Sequence, residues 1–373
     1  MIIGVPKEIK DHEYRVGLIP SSVRELTALG HQVLVESHAG YGTGFPDDEY
    51  IAAGASILPT ADEVFSQAEM IVKVKEPQAV ERAKLQKGQI LFTYLHLAPD
   101  FPQTEELIKS KAICLAYETV TDYMGNLPLL APMSEVAGRM SIQSGAYSLQ
   151  KANGGRGLLL SGVPGVAPAH VVVIGGGIVG SNAARMAIGL KARVTILDNN
   201  INTLRKLDQE FSGRAEVIFS NKENIENNVM DADLLIGAVL IPGAQAPKLV
   251  NEALVKKMKP GSAIVDVAID QGGCIETSHP TTHSDPIYIK HNVVHYCVAN
   301  MPGAVARTST IALNHATLPY VLSIANQGIA LALKADEGLR AGVNVFEGHL
   351  TIKSVASQFS LPFTPLEEVL SIL

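Results

Sequence analysis

Two series of short apolar runs, each run separated from the next by a stretch with helical periodicity, organise the chain. The first comprises IIGVP near residue 2, HQVLVE near 31, MIVKVK near 70, QILFTYLH near 89 and AICLAYE near 112. Near-continuous apolar runs rich in β-branched residues suit strands covered by helices on both faces. SSVRELTALG, between the first two, is read as a helix with a Ser cap and a closing Gly. The second series is VVVIG (171–175), RVTILD (193–198), AEVIFS (215–220), DLLIGAVL (233–240), SAIVDVAID (262–270) and VVHYCVANMP (293–302). Six such strands complete a doubly wound sheet. Between the series, LLAPMSEVAGRMSIQSGAYSLQKA reads as a long amphipathic helix, and GGRGLLLSGVPGVAPAH as a Gly- and Pro-rich hinge. After Arg307 the chain reads as helical again through LPYVLSIANQGIALALKA, a tail expected to return to the first domain. The expectation is α/β, with two doubly wound domains and a cleft between them. One domain is formed by 1–128 plus 307–373, the other by 129–306.

Length and composition agree with this picture. With 373 residues the chain exceeds the roughly 100–200 that one domain usually holds. Apolar residues make up 47% and charged ones 18%, which excludes a disordered chain. A formal charge of −7 argues against a nucleic-acid or anionic-membrane surface, leaving small molecules as the natural partners. Cys114, Cys274 and Cys297 are odd in number and show neither C-x-x-C spacing nor a nearby His pair. They are read as reduced, buried thiols, and no metal-ligand set is assigned. MIIGVPKEIK lacks the apolar stretch of a signal peptide. The best apolar run, LLIGAVLIPGA at 234–244, is short of the ~18 residues a membrane span needs and is broken by Gly and Pro. The expected location is the cytoplasm.

The strongest local signal is VVVIG running into Gly175, Gly176, Gly177, Ile178, Val179 and Gly180 and then into helical SNAARMAIGLKA. A G-x-G-x-x-G pattern between a strand and a helix reads as a dinucleotide site. Gly175 permits the tight turn, Gly177 lets the backbone approach a pyrophosphate, and Gly180 allows close helix-on-strand packing. The helix N-terminus offers unpaired N–H groups to phosphate. Asp198 closes the next strand at the offset expected of the acceptor for the adenosine ribose hydroxyls, and its charge disfavours the extra phosphate of NADP. The second domain is therefore expected to be a Rossmann domain binding NAD. Ligands of open parallel sheets lie beyond the carboxyl ends of strands. That rule adds Ser220, Val239 and Leu240, Val267, Ala268, Ile269 and Asp270, and Val298, Ala299, Asn300 and Met301. GYGTG at 40–44 is read as an ordinary loop, with no helix following.

Applied to the first domain, the same rule selects Arg15, Lys75 and His96. Arg15 is expected to grip a substrate carboxylate in bidentate fashion, and Lys75 to add a point charge and a donor. His96 suits proton transfer near neutral pH, and Asp270 offers a second carboxylate near the reacting carbon. Each also has a plainer reading: solvated loop charges for Arg15 and Lys75, an ordinary strand-end His96, and turn initiation at Asp270 beside Gly272 and Gly273. Met133 and Met301 are commonly packing residues, although small apolar surroundings there suit a methyl side chain. Met133 and Asn300 are expected beside the substrate.

Across nearly its whole length the sequence resembles the family of bacterial alanine dehydrogenases and the nicotinamide nucleotide transhydrogenase alpha chain. The matching stretches include GVPKEIKDHEYRVGLIP, VKVKEP, ILFTYLHLA, LLAPMSEVAGR, VVVIGGGIVG, LIGAVLIPGAQAPKLV, VDVAIDQGGC and YCVANMPGAVARTST. The resemblance implies interconversion of L-alanine with pyruvate and ammonia, NAD as cofactor, and a homohexamer. It implies Arg15 and Lys75 as substrate ligands and His96 and Asp270 as catalytic residues. Implied NAD contacts are Ser134, Ile178, Val179, Asp198, Ser220, Val239, Leu240 and the 267–270 and 298–301 stretches. Thr203 departs from the Lys or Arg frequent there in the family. Arg205, two positions on and roughly 200° around the helix, does not replace it. Ala306 stands where Pro is common. Two other functions compete: a transhydrogenase-like NAD-binding module passing hydride to a partner protein, and a related amino-acid or opine dehydrogenase. A pure relay module has no need of both Lys75 and His96.

Overall fold

The apolar runs form two mainly parallel sheets in the computed structural model, which describes residues 1–239 and 246–370. The chain divides into two units, Met1–Met133 with Val305–Leu373, and Ser134–Ala304.

In the first unit the strands are β1 (Ile2–Val5), β2 (Gln32–Glu36), β3 (Ser56–Leu58), β4 (Met70–Val72), β5 (Ile90–Thr93) and β6 (Ile113–Ala116). All six run parallel, and β5, β4 and β1 are neighbours. β1 sits in register with both partners, Ile3 opposite Val33 on β2 and Met70 on β4. Every residue of β4, β5 and β6 is buried. Such strands read as continuous apolar runs because helices cover both faces.

Several local expectations are corrected. The first helix spans Pro20–Ala28, with Pro at its start and Ile19 as a cap that makes no side-chain bond, so a Ser does not cap it. The proline ring already holds the φ a first helical turn needs. GYGTG forms a single 3₁₀ turn at Tyr41–Thr43, and a short helix, Asp47–Ala52, does follow. The tail is mainly helical but also adds two short strands antiparallel to the edge of this sheet, Val343–Phe346 beside β6 and then His349–Leu350.

In the second unit the strands are β7 (His170–Ile174), β8 (Arg193–Asp198), β9 (Glu216–Phe219), β10 (Leu234–Gly237), β11 (Ala263–Asp266), β12 (Ile287–Lys290) and β13 (Val293–Tyr296). Their order is β12-β13-β11-β10-β7-β8-β9, all parallel except the edge strand β12. The chain winds from β7 outward through β8 and β9, then crosses to β10 on the other side. That reversal beside β7 is the switch point at which ligands bind in such sheets. Alternation along β7 sends Val171 and Val173 into one buried cluster and Val172 and Ile174 into another, each under its own layer of helices. The last two apolar runs yield shorter strands than their sequences suggest. After Asp266 the chain coils into a 3₁₀ turn, Val267–Gln271, and after Tyr296 it leaves the sheet. The long helix joining the two series spans Ala131–Ser148.

All three cysteines are fully buried, and burial pushes the Cys114 thiol up to about 12 and Cys297 up to about 11. Among the described residues no helix is long and apolar enough to cross a membrane.

Candidate functional site

In the first unit, Arg15, Lys75 and His96 all follow the carboxyl ends of adjacent parallel strands, β1, β4 and β5 respectively. Each is held by a carboxylate that sequence reading did not single out. Glu13 takes Arg15 side-on: Arg15 Nε donates to Oε1 and Nη2 to Oε2, both at 2.7 Å, with side-chain exposures of 2% for Arg15 and 0% for Glu13. Burial alone would lower the guanidinium pKa, but the bonds and charge of Glu13 override it and raise it above its ordinary value. The Nε/Nη2 edge is therefore committed to Glu13. On the other side of the guanidinium, Nη1 lies 3.1 Å from Met133 Sδ.

Residues 16–22 are stitched to the helix Ala306–Gln327. Asn314 accepts from the Ile19 N–H at 3.2 Å and from the Ser22 hydroxyl, and donates to the Gly17 carbonyl. This side-chain pairing stands in for a ladder in the stretch that leads into the first helix. It fixes where the chain places Arg15.

Lys75 has a side-chain exposure of 14% and lies 4.0 Å from Glu76. Against the effect of burial, Lys75 and Lys10 hold the Glu76 carboxyl below its ordinary value. Beneath it, Lys73 is enclosed, pairing with Glu8 at 3.1 Å and Glu81 at 2.7 Å. Burial opposes the ammonium, yet the two carboxylates raise its pKa and keep it charged.

His96 adopts φ +49°, a left-handed conformation uncommon outside glycine, though one that His enters more readily than most residues. Glu118, just beyond β6, accepts its N–H at 2.6 Å and that of Leu95 at 3.2 Å. A carboxylate gathering two successive N–H groups stabilises this turn. The imidazole Nδ1 lies 3.9 Å from Glu118, and its ring stacks with Tyr94 at 5.7 Å between centroids, 9° from parallel. Tyr94 donates to the Leu129 carbonyl at 2.5 Å, and burial pushes its hydroxyl pKa up. Arg15, Lys75, His96 and Met133 are thus tied into one rim of the first unit, with half of the imidazole surface open.

In the second unit, Gly175 has φ +99° and a Cβ there would come within 2.7 Å of the Ala238 carbonyl oxygen. Only Gly meets both constraints. At Gly180 a Cβ would run into the Gly175 carbonyl, which lets the helix Ile178–Gly189 sit directly on the end of β7. Gly177 is different: φ is −68° and a Cβ would meet nothing within 4 Å. Gly177 is the N-cap and supplies no side-chain bond to the first turn. Open space over helix N–H groups fits the pyrophosphate of a dinucleotide. Asp198 accepts from the Gly176 N–H and from the Asn200 N–H, both at 2.7 Å. Each oxygen retains a further lone pair for a ribose hydroxyl. Thr203 lies beside Gly176, and Ile178 is half exposed at the helix start.

Ser220 hydrogen-bonds through its N–H to the Asp198 carbonyl at 2.9 Å. Val239 follows β10, while Leu240 lies outside the described residues. Val267, Ala268, Ile269 and Asp270 form the 3₁₀ turn after β11, with Ala268 and Ile269 buried and Asp270 exposed. Val298, Ala299, Asn300 and Met301 follow β13. The Asn300 N–H, at φ +61°, donates to Asp270 at 3.3 Å, which joins these two loops. Val298 and Met301 are core residues. Ser134 is half-buried in the helix Ala131–Ser148.

With the geometry laid out, comparison with known proteins becomes informative. The family described as alanine dehydrogenase/PNT matches the chain twice, its N-terminal domain over residues 4–137 and its C-terminal domain over 141–353. The protein named alanine dehydrogenase from Halomonas elongata is 58% identical over 363 residues, covering 97% of this chain and 98% of the relative. Those from Methanococcus maripaludis and Mycolicibacterium smegmatis are 56% and 54% identical, covering 100% of both chains in each case. A solved L-alanine dehydrogenase superposes with a TM-score of 0.94 at 54% identity, over 96% of this chain and 99% of that one. A transhydrogenase from Sinorhizobium meliloti shares the fold, with a TM-score of 0.83 at 24% identity over 94% of this chain and 100% of that one.

Proposed function

The chain belongs to the alanine dehydrogenase/PNT family, and on that premise we propose that it is an L-alanine dehydrogenase, catalysing the reversible NAD-dependent oxidative deamination of L-alanine to pyruvate and ammonia. The observation that carries this reading is identity of 54–58% to alanine dehydrogenases across essentially the full length of both chains. The first unit, with its guanidinium, ammonium and imidazole on one rim, is assigned to the substrate. The second, with its glycine turn and Asp198, is assigned to NAD.

When bound by the glycine turn and Asp198, NAD would supply the acceptor for the hydride that leaves the alanine Cα. The chain's own residues then have three tasks. Arg15 and Lys75 hold the carboxylate, with Met133 and Asn300 around the small side chain. The alanine ammonium first gives up a proton to solvent, loss of hydride then leaves an iminium carbon, and water adds to it while His96 takes the water proton. His96 returns that proton to nitrogen, the C–N bond of the carbinolamine breaks, and ammonia departs as the hydroxyl proton passes back to His96 and the carbonyl of pyruvate forms. Asp270 assists this proton traffic. Holding both reactants in line converts an encounter of two molecules into an aligned one, a large share of the rate.

Gly175, Gly177, Gly180, Ser134, Ile178, Val179, Ser220, Val239, Leu240 and the 267–270 and 298–301 loops are proposed to surround the dinucleotide. The family resemblance further supports a homohexamer, which light scattering reads directly. The proposed location is the cytoplasm, with small molecules and copies of the same chain as partners and neither nucleic acid nor membrane. The test is a panel of alanine, serine, glycine and lysine against NAD and NADP, followed at the nicotinamide absorbance. Reduction of NAD with alanine alone supports the reading. Absence of turnover with alanine, or turnover only with lysine, overturns it, and hydride exchange between dinucleotides without any amino acid would instead indicate a transhydrogenase-like module.

A further inference from the structure

Beneath the proposed substrate rim lies an ionic group that the reaction does not use. Glu8, Lys73 and Glu81 are 6%, 0% and 2% exposed, so two carboxylates and one ammonium are enclosed together. Burying charge is expensive, and apolar replacements of such groups are often neutral or stabilising. Stability by itself therefore gives no reason for the arrangement.

The hydrogen bonds supply one. Lys73 N–H still pairs with the Phe92 carbonyl of the neighbouring strand, and the Val74 carbonyl with the Tyr94 N–H, as the chain leaves the sheet. At that departure the next two N–H groups converge on a single oxygen: Val74 at 2.7 Å and Lys75 at 3.3 Å, both to Glu8 Oε1. The other oxygen, Oε2, is held by Lys73 Nζ. Lys73 is anchored in turn by Glu81, whose second oxygen caps the following helix at the Gln78 N–H, 2.7 Å. On the far side of residue 75, its carbonyl accepts from the Thr93 hydroxyl at 2.9 Å. The backbone of Lys75 is clamped on both sides, by Glu8 at the nitrogen and Thr93 at the oxygen.

We infer that Glu8 is a positioning residue for the substrate: it touches no reactant, but by gathering the Val74 and Lys75 N–H groups it sets where the Lys75 ammonium meets the substrate carboxylate. Lys73 and Glu81 hold the Glu8 carboxylate in place. The inference rests on the proposed role of Lys75. What matters is the acceptor at Oε1, so an amide in its place preserves most of the effect.

The test is steady-state reductive amination of pyruvate by the full chain carrying Glu8→Leu, Glu8→Gln, Thr93→Val or Lys75→Met. Glu8→Leu is expected to raise the pyruvate KM about tenfold or more, with kcat and the NADH KM within about threefold. Glu8→Gln recovers most of that loss even though both variants melt at lower temperature. Thr93→Val, a near-isosteric change that keeps the core filled, raises the pyruvate KM by a smaller factor and serves if Glu8→Leu does not fold. An unchanged pyruvate KM in Thr93→Val and Glu8→Leu overturns the inference. So does a KM that rises equally in the Gln and Leu variants, or equally for pyruvate and NADH. Lys75→Met separates the two levels: if it leaves the pyruvate KM unchanged, the assigned role of Lys75 fails and the inference with it. If it raises KM while Glu8→Leu does not, the inference alone fails.

Discussion

Replacing Gly177 by Ala tests the proposed pyrophosphate cradle with little disturbance to the protein. The native φ of −68° is open to any residue, and the new Cβ meets no protein atom within 4 Å. The folded chain therefore has room for it, and the stability change is limited to the roughly 0.5–1 kcal/mol by which Gly exceeds Ala as an N-cap. A phosphate bonded to the first-turn N–H groups would occupy the space that methyl enters. Displacing it weakens charge-assisted hydrogen bonds of about 1.5–3 kcal/mol. The expected result is an NADH Kd raised about 10- to 150-fold, with a melting temperature within about 2 °C of the parent. Titration of NADH fluorescence against the full chain, beside a thermal melt, measures both. Gly180→Ala is the contrasting case: its Cβ collides with the Gly175 carbonyl, so the helix must move off β7 and the melting temperature falls. A Gly177→Ala protein that binds NADH with the parent Kd would refute the cradle.

Three further outcomes are expected. His96→Ala lowers turnover by about 10²–10⁴-fold with NADH binding intact in the same titration, and near-normal turnover removes His96 from the mechanism. Asp198→Ala, which removes the negative charge beside the glycine turn, lowers the ratio of kcat/KM for NAD over NADP by about tenfold or more; an unchanged ratio counts against ribose recognition there. The third concerns acid stability. His295 is fully buried, its Nδ1 donating to the Val293 carbonyl at 3.0 Å and its Nε2 accepting from the Thr277 hydroxyl at 2.8 Å, and burial lowers its pKa from 6.5 to about 4. Unfolded chains bind the extra proton between those values. Stability is thus complete above pH 6.5 and declines as pH falls toward 4, by up to about 3 kcal/mol. Melts between pH 7.5 and 4.5 should show His295→Gln losing less than the parent, and parallel pH profiles would exclude His295 as the source.

Features that depend on neighbours in the chain are legible in its sequence. The glycine turn is one: strand, Gly175, Gly177, Gly180 and helix follow one another within about ten residues, and at Gly180 the constraint is the Gly175 carbonyl, although at Gly175 the close backbone is that of distant Ala238. The long buried strands are another, because being covered on both faces forces continuous apolar runs on β5, β6, β7 and β10. Shorter edge elements escaped notice. Ser56–Leu58 has three residues, only partly buried or exposed, and Ile287–Lys290 has no buried residue at all. Each exists because a neighbouring strand supplies its ladder. The coil at Val267–Gln271 interrupts a run that remains apolar, so its sequence carries the strand pattern beyond the point where the ladder stops.

The candidate site divides in the same way. Lys75 and His96 stand out because a charged or imidazole side chain just after an apolar run is conspicuous, whereas Arg15 lies ten residues beyond the end of β1. That β1, β4 and β5 lie side by side, bringing the three to one rim, is a property of strand order and not of any local pattern. The carboxylates that hold them are less visible still. Glu13, Glu8 and Glu118 look like ordinary surface acids in the sequence; Glu13 is only two positions from Arg15, but Glu8 and Glu118 meet residues 74–75 and 95–96 across more than 20 positions. Asn314, nearly 300 positions from Gly17, shows no sign of the bond between them. Sequence by itself determined element types and the dinucleotide turn, since both follow from steric rules and burial acting over a few residues. Tertiary structure alone decided which buried charges pair and which backbone groups they fix, because those choices depend on distances between segments that chain proximity does not set.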